Sequence, residues 1–343
     1  MQTTATKWDT YQNQPVTQYE IENDNGVKLG VLSWGATLHK LMVPGNHGEH
    51  NMVLSYHKMT NYLDNPFYVC MGIGRTGGRI TRGTVTVDGQ TYHLDTNEGK
   101  NTLHGGPNGF NTVNWDGTID DSNPDIAKII LTHTFKSTDD SYPGDLTAKI
   151  IWTLDNHDQV TLTFEGTATA TTLFNPTSHL YFNLSDDPLI VGETLQVNSH
   201  EHLDLNDEKL PTGKMIPVAD TPYDFSKGQN LGEAIDALQG IPEKGFDDVF
   251  HLDPAADGTI AKLSDPKSKR SVTMKSDRNA LVVFTANSFD KSLKLTTGDG
   301  QPYMGVALEP QNLPDSMNHD GFGDITLPAG KTQTYHVSYD LTY

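Results

Sequence analysis

One histidine stands in a stretch whose residue types should hold it firmly. The segment Phe174–Leu184 reads FNPTSHLYFNL, in which Asn-Pro-Thr-Ser is turn chemistry and Leu-Tyr-Phe suits a packed strand. His179 lies at the junction of the two, so its backbone should be well fixed. Because an imidazole titrates near neutral pH, a histidine held in this way can give and take protons in water. A hydrogen-bonded structural histidine is the alternative.

Further side chains that can bind or ionise lie beside glycines and turns. His104 precedes a Gly-Gly-Pro turn, and the paired acids Asp247 and Asp248 follow a Gly-Phe dipeptide. Glu309 closes the apolar run that begins at Gly305. A carboxylate at the end of a buried strand is costly unless it is hydrogen-bonded or useful. Burial also raises the pKa of a carboxyl group, which a general base requires.

Two arginines lie in a glycine-rich segment. Gly72–Gly77 matches the dinucleotide fingerprint GxGxxG, but an alternating β segment follows it where the fingerprint requires a helix. A nucleotide site is therefore disfavoured, and the glycines more readily permit a tight turn. Arg75 and Arg79 would then be able to donate hydrogen bonds to sugar hydroxyls, or form structural ion pairs.

The sequence offers little support for a metal ion or a serine nucleophile. His104, His179, His200 and His202 are available as ligands, and the last two would lie on one face of a strand. No third ligand stands at a characteristic spacing, and neither HExxH nor GxSxG occurs. We therefore expect no metal.

The composition restricts the class of protein. The 343 residues carry 24 Lys and Arg against 44 Asp and Glu, a net charge of -20. This charge argues against nucleic acid and anionic membranes as partners, because phosphate binding requires clustered Lys and Arg. Cys70 is the only cysteine, which fits a reducing compartment. Without a signal pattern or an apolar run of membrane-spanning length, the sequence predicts a cytoplasmic protein.

Short alternating segments broken by turn residues dominate the chain, as in antiparallel strands. Convincing helix is scarce, with Leu231–Leu238 as one short candidate. Many strands and few helices predict an all-β fold, a large antiparallel β-sandwich or a barrel, in one domain of residues 1–343. The predicted hairpins have turns at Asn25-Gly26, Asp88-Gly89, Asn156-His157-Asp158 and Asp277-Arg278-Asn279, and single alternating strands cover 126–135 and 332–343.

Five pieces of this sequence, taken in order, resemble the aldose 1-epimerase family, also called galactose mutarotases. The resemblance extends over roughly Gln18–Tyr343, and HGG, SHxYFNL and LExQ are its most specific parts. The pieces are Gly74-Arg75 through Arg79-Ile80, Leu103-His104-Gly105-Gly106, Asn175–His179 with Tyr181–Leu184, Gly245-Phe246-Asp247, and Leu308-Glu309 with Gln311, Pro314-Asp315 and Asn318.

The resemblance implies a large antiparallel β-sandwich that binds a small sugar and needs no metal or organic cofactor. By the matching positions, Glu309 would be the general base and His179 the general acid of ring opening. Arg79, His104 and Asp247 would hold the sugar. We expect burial to raise the pKa of Glu309 and a nearby carboxylate to raise that of His179. The protein should be a monomer or a homodimer.

The sequence departs from the usual family pattern near the expected sugar site. Thr76-Gly77-Gly78 replaces a bulkier stretch, Asp248 stands where a histidine is common, and Pro310 and Leu313 are unusual. The preferred sugar therefore stays open between galactose, glucose, maltose and others.

Three rival functions remain at this point. A glycoside hydrolase would use two carboxylates, Asp247 and Glu309. A non-catalytic sugar-binding or sugar-sensing sandwich would need no acid–base pair. A hexose-phosphate epimerase should have a basic cluster, for which Arg75, Arg79 and Arg82 are the candidates.

Overall fold

A computed structural model describes residues 1–45 and 48–343, and these are mostly β-strand with three short helices. The helices are α1 (Met59–Leu63), α2 (Ser137–Asp140) and α3 (Leu231–Ala237). The strands are, in chain order, β1 (Gln2–Tyr11), β2 (Gln14–Glu22), β3 (Lys28–Leu32), β4 (Thr37–Val43), β5 (His50–Asn51), β6 (Gly72–Ile73), β7 (Arg79–Ile80), β8 (Thr84–Val87), β9 (Gln90–His93), β10 (Thr102–Leu103), β11 (Asp116–Asn123), β12 (Ile126–Phe135), β13 (Leu146–Asp155), β14 (Gln159–Ala168), β15 (Thr172–Leu173), β16 (Thr177–Ser178), β17 (Tyr181–Phe182), β18 (Thr194–Val197), β19 (Ser199–Leu205), β20 (Pro211–Pro217), β21 (Gln229–Asn230), β22 (Asp247–Leu252), β23 (Thr259–Ser264), β24 (Ser271–Ser276), β25 (Ala280–Phe284), β26 (Lys294–Leu295), β27 (Gly298–Asp299), β28 (Val306–Gln311), β29 (Thr326–Leu327) and β30 (Thr332–Thr342).

Three antiparallel sheets form the body of the molecule. A nine-stranded sheet has the order β11-β12-β13-β14-β30-β24-β23-β18-β21, a six-stranded sheet the order β17-β28-β25-β22-β19-β20, and a five-stranded sheet the order β1 to β5. Apolar residues of all three sheets share one continuous core. The predicted all-β sandwich is therefore confirmed, whereas its division into domains stays a prediction.

The alternating sequence explains the two large sheets. In β13 every second residue is buried, from Leu146 to Leu154, because successive side chains of a strand point to opposite faces. The predicted C-terminal strand is confirmed as β30, which buries Tyr335, Val337 and Tyr339. Phe182 of the six-stranded sheet contacts Tyr339 at 6.1 Å between ring centroids, so the two large sheets pack through aromatic side chains.

The predicted short helix and three of the four predicted hairpins are confirmed. Strand pairs β2–β3, β8–β9 and β13–β14 enclose the expected turns. In the tightest turn, Asp88 and Gly89 both have positive φ, as a two-residue type I′ turn requires. The helix α3 begins after Asn230, whose side chain accepts a hydrogen bond from the Glu233 amide.

The predicted hairpin at 277–279 is wrong. Strand β24 pairs with β23 and β30 in the nine-stranded sheet, whereas β25 pairs with β22 and β28 in the six-stranded one. The turn therefore carries the chain from one sheet to the other. Arg278 lies buried at this crossing, with its guanidinium 3.6 Å from the centre of the Tyr335 ring and hydrogen-bonded to Asn175. Local alternation cannot distinguish a hairpin from such a crossing, because both begin and end with strands.

The turn expected before His179 is also wrong. Thr177 and Ser178 form the extended strand β16, which pairs with β6, and Asn175 bridges to Thr76. Pairing with the glycine-rich segment overrides the local turn preference of these residues. His179 is nevertheless held as expected, since its amide donates to the Met71 carbonyl at 3.0 Å.

Arg75 is a structural residue. It is 1 % exposed, and its Nε and a terminal nitrogen donate to the two carboxylate oxygens of Asp140 at 2.6 and 3.0 Å. It also donates to the carbonyls of Pro143 and Gly144, and it lies over the Tyr142 ring. Arg75 thereby ties the glycine-rich segment to the loop that contains α2.

None of the helices among the described residues is long and apolar enough to cross a lipid bilayer.

We predict that Arg75→Met will lower the free energy of unfolding by about 3–5 kcal/mol, because it leaves the Asp140 carboxylate buried without its cation and, among the residues that the structure describes, with only the Tyr142 amide as a hydrogen-bond donor. Urea denaturation at neutral pH measures this. The matched control is Lys294→Met, which breaks the exposed ion pair of Lys294 and Asp299 and should cost less than about 1 kcal/mol. Similar losses in the two variants would contradict the structural role of Arg75.

Candidate active site

A cleft of about 330 Å³ lies over one face of the six-stranded sheet. Its floor follows from the strand register. Glu309 of β28 lies opposite Val282 of β25, which lies opposite Val249 of β22. Asp247 precedes Val249 by two residues and Gln311 follows Glu309 by two, so all these side chains share one face. Segments outside this sheet form the walls, and they contribute Tyr68, Arg79, His104 and His179.

All five side chains predicted for the site line this cleft. They are Arg79, His104, His179, Asp247 and Glu309. Arg75 is absent from the cleft lining because it is held in its structural pair with Asp140. The structure thus separates the two arginines, although they are four residues apart. The roles of the five residues stay predictions.

His179 and Glu309 form a buried pair at the base of the cleft. The Nε2 atom of His179 lies 3.3 Å from Oε1 of Glu309, and the two side chains are 7 % and 2 % exposed. The imidazole stacks on Tyr181, with ring centroids 4.9 Å apart. Nδ1 of His179 and Oε2 of Glu309 are buried without a hydrogen-bond partner among the described residues. Two polar atoms that would otherwise be costly to bury are therefore available to a ligand.

Burial and neighbouring charge set the protonation of this pair. Burial raises the pKa of Glu309 well above its usual value, and the nearby Asp247 carboxylate raises it further. The expectation for His179 is wrong, since burial lowers the pKa of its imidazole to about 3. Each shift disfavours the charged form of its own group. These shifts favour a pair with one proton, which the carboxyl group holds while the imidazole is neutral, and the two groups titrate as a unit.

His104 is oriented by the glycine-rich segment. Its Nδ1 accepts a hydrogen bond from the Gly78 amide at 3.2 Å, and its own amide donates to the Gly78 carbonyl at 3.0 Å. The neutral ring therefore carries its proton on Nε2, as a donor. Burial lowers the pKa of His104, which keeps the ring neutral. Its ring contacts those of Tyr68 and His179 edge-on.

The glycine after His104 is required by a close approach of two loops. Gly105 has a φ of +88°, and a Cβ atom there would lie 1.8 Å from the Gly74 carbonyl oxygen. Only a residue without a side chain allows this contact and this conformation. The HGG piece of the sequence thus places His104 against the segment that contains Arg79.

Arg79 reaches the cleft in a fixed orientation. Its Nε and a terminal nitrogen donate to the two carboxylate oxygens of Glu98 at 2.6 and 2.8 Å. This bidentate pair holds the guanidinium plane while other N–H groups remain for a ligand. The hydrogen bonds to Glu98 raise the pKa of Arg79, and the nearby Asp247 carboxylate also raises it.

Sequence reasoning missed Glu98 and Tyr68 as members of the site. Glu98 lies in a Gly-Lys turn, and Tyr68 has a φ of +51° in a loop, so neither belongs to a pattern that indicates a ligand contact. Gln311 belonged to the LExQ piece but received no role. Its side chain is fully buried, lines the cleft, and has both amide atoms without partners among the described residues.

Three of these side chains have the spacing of a metal site. One ligand atom each from His104, His179 and Glu309 lies within 4.8 Å of the other two. The other histidines considered for zinc lie apart from the cleft: His200 is exposed, and His202 stacks on Tyr223. Two imidazoles and a carboxylate would suit zinc, but they equally suit a proton-transfer site.

Comparison with known proteins places this fold and site in a family. The profile of the family described as aldose 1-epimerase matches residues 17–340. A maltose epimerase from Levilactobacillus brevis is 39% identical over 343 residues, which cover 100% of this chain and 99% of that one. An aldose 1-epimerase from Streptococcus thermophilus is 36% identical and covers 94% of each chain. The crystal structure of galactose 1-epimerase from Lactobacillus acidophilus superposes with a TM-score of 0.86 at 28% identity and covers 100% of this chain and 99% of that one.

The chain therefore belongs to the aldose 1-epimerase family. It is an isomerase that interconverts the α and β anomers of aldoses, which confirms the family and the reaction expected from the sequence.

We predict that Gly105→Ala will destabilise the protein and slow catalysis, because the added methyl group must push His104 and Gly74 apart. The matched control is Gly89→Ala, since Gly89 also has a positive φ but has no atom within 4 Å of the added Cβ. The control should lose only about 1–2 kcal/mol from conformational strain. Gly105→Ala should lose about 1–3 kcal/mol more from overpacking. Urea denaturation and polarimetry of glucose test both effects, and equal behaviour of the two variants would contradict this account.

Proposed function

We propose that this cleft is the active site, with Glu309 as the general base and His179 as the general acid of sugar ring opening. The observation that carries the proposal is the buried pair, in which Nε2 of His179 lies 3.3 Å from Oε1 of Glu309. Nδ1 of His179 and Oε2 of Glu309 have no hydrogen-bond partner in the part of the chain that the structure describes. A base and an acid that act together are needed because neither an alkoxide nor an oxonium ion forms readily in neutral water.

In the proposed reaction, Glu309 removes the proton of the C1 hydroxyl while His179 gives its proton to the ring oxygen. The C1–O5 bond breaks, its electron pair goes to O5, and C1 becomes an aldehyde carbon. Rotation about C1–C2 presents the other carbonyl face, and reclosure runs the two transfers in reverse. Ring opening begins from the less favoured form of the pair, an ionised carboxylate and an imidazolium, and converts it into two neutral groups. Because burial favours those neutral forms, the cleft favours the proton transfers of opening.

We propose that Arg79, His104 and Asp247 hold the sugar. Arg79 and the Nε2–H of His104 are donors, whereas the Asp247 carboxylate accepts from hydroxyls. The orientation of Arg79 by Glu98 and of His104 by Gly78 supports this assignment. Groups that are already oriented lower the entropic cost of positioning the reacting atoms.

The substrate is proposed to be an uncharged aldose such as glucose or galactose, with maltose as a further candidate from the relative of that name. A phosphorylated sugar is disfavoured. Arg79 is paired with Glu98, and Lys209, the other cation of the cleft, is paired with Glu243 at 2.6 Å. Arg75 is bound to Asp140 away from the cleft, so the expected basic cluster is not assembled there. Family membership argues against the hydrolase and the non-catalytic alternatives.

Several expectations remain proposals. These are a metal-independent reaction, the lack of nucleic acid partners, a monomeric or homodimeric state and a cytoplasmic location. Burial of Cys70 is compatible with the last of these.

We predict that Glu309→Gln and His179→Asn will each lower kcat by about 10²–10⁴, because each variant removes one of the two proton transfers. Polarimetry of freshly dissolved α-D-glucose, α-D-galactose and maltose in excess EDTA measures this, and wild-type activity should survive the EDTA. The chain offers a matched control, since His251 and Glu201 form a similar pair at 2.8 Å outside the cleft. Glu201→Gln and His251→Asn should keep full activity. Near wild-type rates in the cleft variants would rule out the proposed mechanism.

The pH profile should reflect a pair that holds one proton. At acidic pH the pair gains a second proton on His179, and because the pKa of that imidazole is lowered to about 3, kcat/KM should have no acid limb near the ordinary value of 6.5. At alkaline pH the pair loses its last proton, and because the pKa of Glu309 is raised, the activity should fall there. Initial mutarotation rates across the pH range, corrected for the uncatalysed rate, measure both limbs. An acid limb near 6.5 would contradict this proton count.

A further inference from the structure

A second cavity of about 460 Å³ adjoins the cleft. It lies between the turn 98–101 and the loop 207–209, and it shares Arg79, Glu98 and Lys209 with the cleft. Glu309 and His179 line the cleft but not this cavity. The two spaces are therefore neighbours across the Arg79–Glu98 pair, and the second lies away from the proposed acid and base.

The walls of the second cavity are held together by hydrogen bonds. The turn is closed by paired backbone bonds between Glu98 and Asn101, at 2.9 and 3.2 Å. The Asn101 side chain is 3 % exposed, and it donates to a Glu208 carboxylate oxygen in the opposite loop at 3.0 Å. Lys209 is fixed by its ion pair with Glu243. The cavity is thus preformed and does not require a loop to become ordered on binding.

The charges that line the second cavity suit a neutral, hydroxyl-rich ligand. Three cations, Arg79, Lys100 and Lys209, are balanced by three anions, Glu98, Asp207 and Glu208. The exposed side chains of Lys100 and Asp207 have no ion pair or hydrogen bond among the residues that the structure describes. An ammonium donates to sugar hydroxyls and a carboxylate accepts from them, whereas this balanced lining offers no excess positive charge for a phosphate.

We propose that this cavity is a second sugar subsite, which binds a glycosyl residue attached to O4 of a reducing glucose, as in maltose. The proposal rests on the proposed function, which places C1 of the reducing sugar at Glu309 and His179. In a pyranose, C4 lies across the ring from C1, so a substituent on O4 leaves the cleft on the side away from the acid–base pair. The second cavity borders the cleft at Arg79 and Glu98 and is lined by neither Glu309 nor His179, so it is the neighbouring space that such a substituent would enter. The similarity to a protein named maltose epimerase agrees with this substrate class.

The test compares maltose with glucose in a variant that removes the two unpaired groups, Lys100→Ala with Asp207→Ala. Each lost hydrogen bond to a sugar hydroxyl should weaken binding several-fold, so KM for maltose should rise about tenfold. KM and kcat for glucose should stay within about twofold, since one pyranose does not reach the second cavity. The matched control, Lys227→Ala with Asp236→Ala, removes the same charges at exposed positions outside both cavities. It should leave both sugars unaffected.

Binding of glycosides that cannot open tests the subsite without turnover. Methyl α-maltoside should bind the wild-type protein more tightly than methyl α-glucoside in titration calorimetry, and the Lys100→Ala, Asp207→Ala variant should lose this difference. Equal affinities of the two glycosides for the wild-type protein, or equal effects of the variant on maltose and glucose, would overturn the second subsite. If the wild-type protein failed to accelerate glucose mutarotation, that result would instead contradict the proposed function. The calorimetry would still test whether the second cavity binds a glycosyl residue.

Discussion

The rest of the site depends on one constraint, which is that a carboxyl group and an imidazole are buried together 3.3 Å apart, where burial and the Asp247 carboxylate outweigh the opposing charge of Arg79 on Glu309. In water the two groups would carry opposite charges near neutral pH. Inside the cleft, burial pushes the pKa of Glu309 up and that of His179 down, so the pair shares one proton. The ionised and neutral forms of the pair differ only in which group holds this proton, so ring opening and reclosure can use the same two groups in reverse order.

The sandwich holds that pair through strand register and not through flexible loops. Glu309 lies in β28 and is paired with Val282 of β25, while the earlier residues Val306 and Ala307 of the same strand pair with β17. His179 lies between the short strands β16 and β17, which join the glycine-rich segment and the same sheet. Both partners are consequently fixed by backbone hydrogen bonds. The wall residues Arg79 and His104 are in turn fixed by Glu98 and Gly78.

The glycine-rich segment contributes one arginine to the body of the protein and another to the cleft. Arg75 points into the body of the protein and pairs with Asp140, while Arg79 points into the cleft and pairs with Glu98. Three residues therefore separate a buried structural ion pair from one that lines the cleft. The glycines between and around them allow close contacts, as at Gly77, where a Cβ atom would lie 1.8 Å from the Gln311 side chain.

Much of the fold could be predicted from the sequence because its signals are local. Alternation identified β12 and β30, and the Asp-Gly turn identified the β8–β9 hairpin, since a strand's side-chain period and a turn's φ angles depend on neighbouring residues. The crossing at Arg278 and the extended strand at Thr177 could not be predicted in this way. Each depends on a partner strand distant in the chain, and that partner overrides the local preference.

The same division holds for the site. The sequence by itself determined which side chains could give, take or bind protons and sugar hydroxyls, because side-chain chemistry and ordered motifs are properties of the residues. Only the tertiary structure decided that Arg79 faces the cleft while Arg75 does not, that Glu98 orients Arg79, and that burial lowers the pKa of His179. The direction in which a side chain points, its partners and its protonation are set by distances and burial. These exist only once strands far apart in the sequence have been brought together.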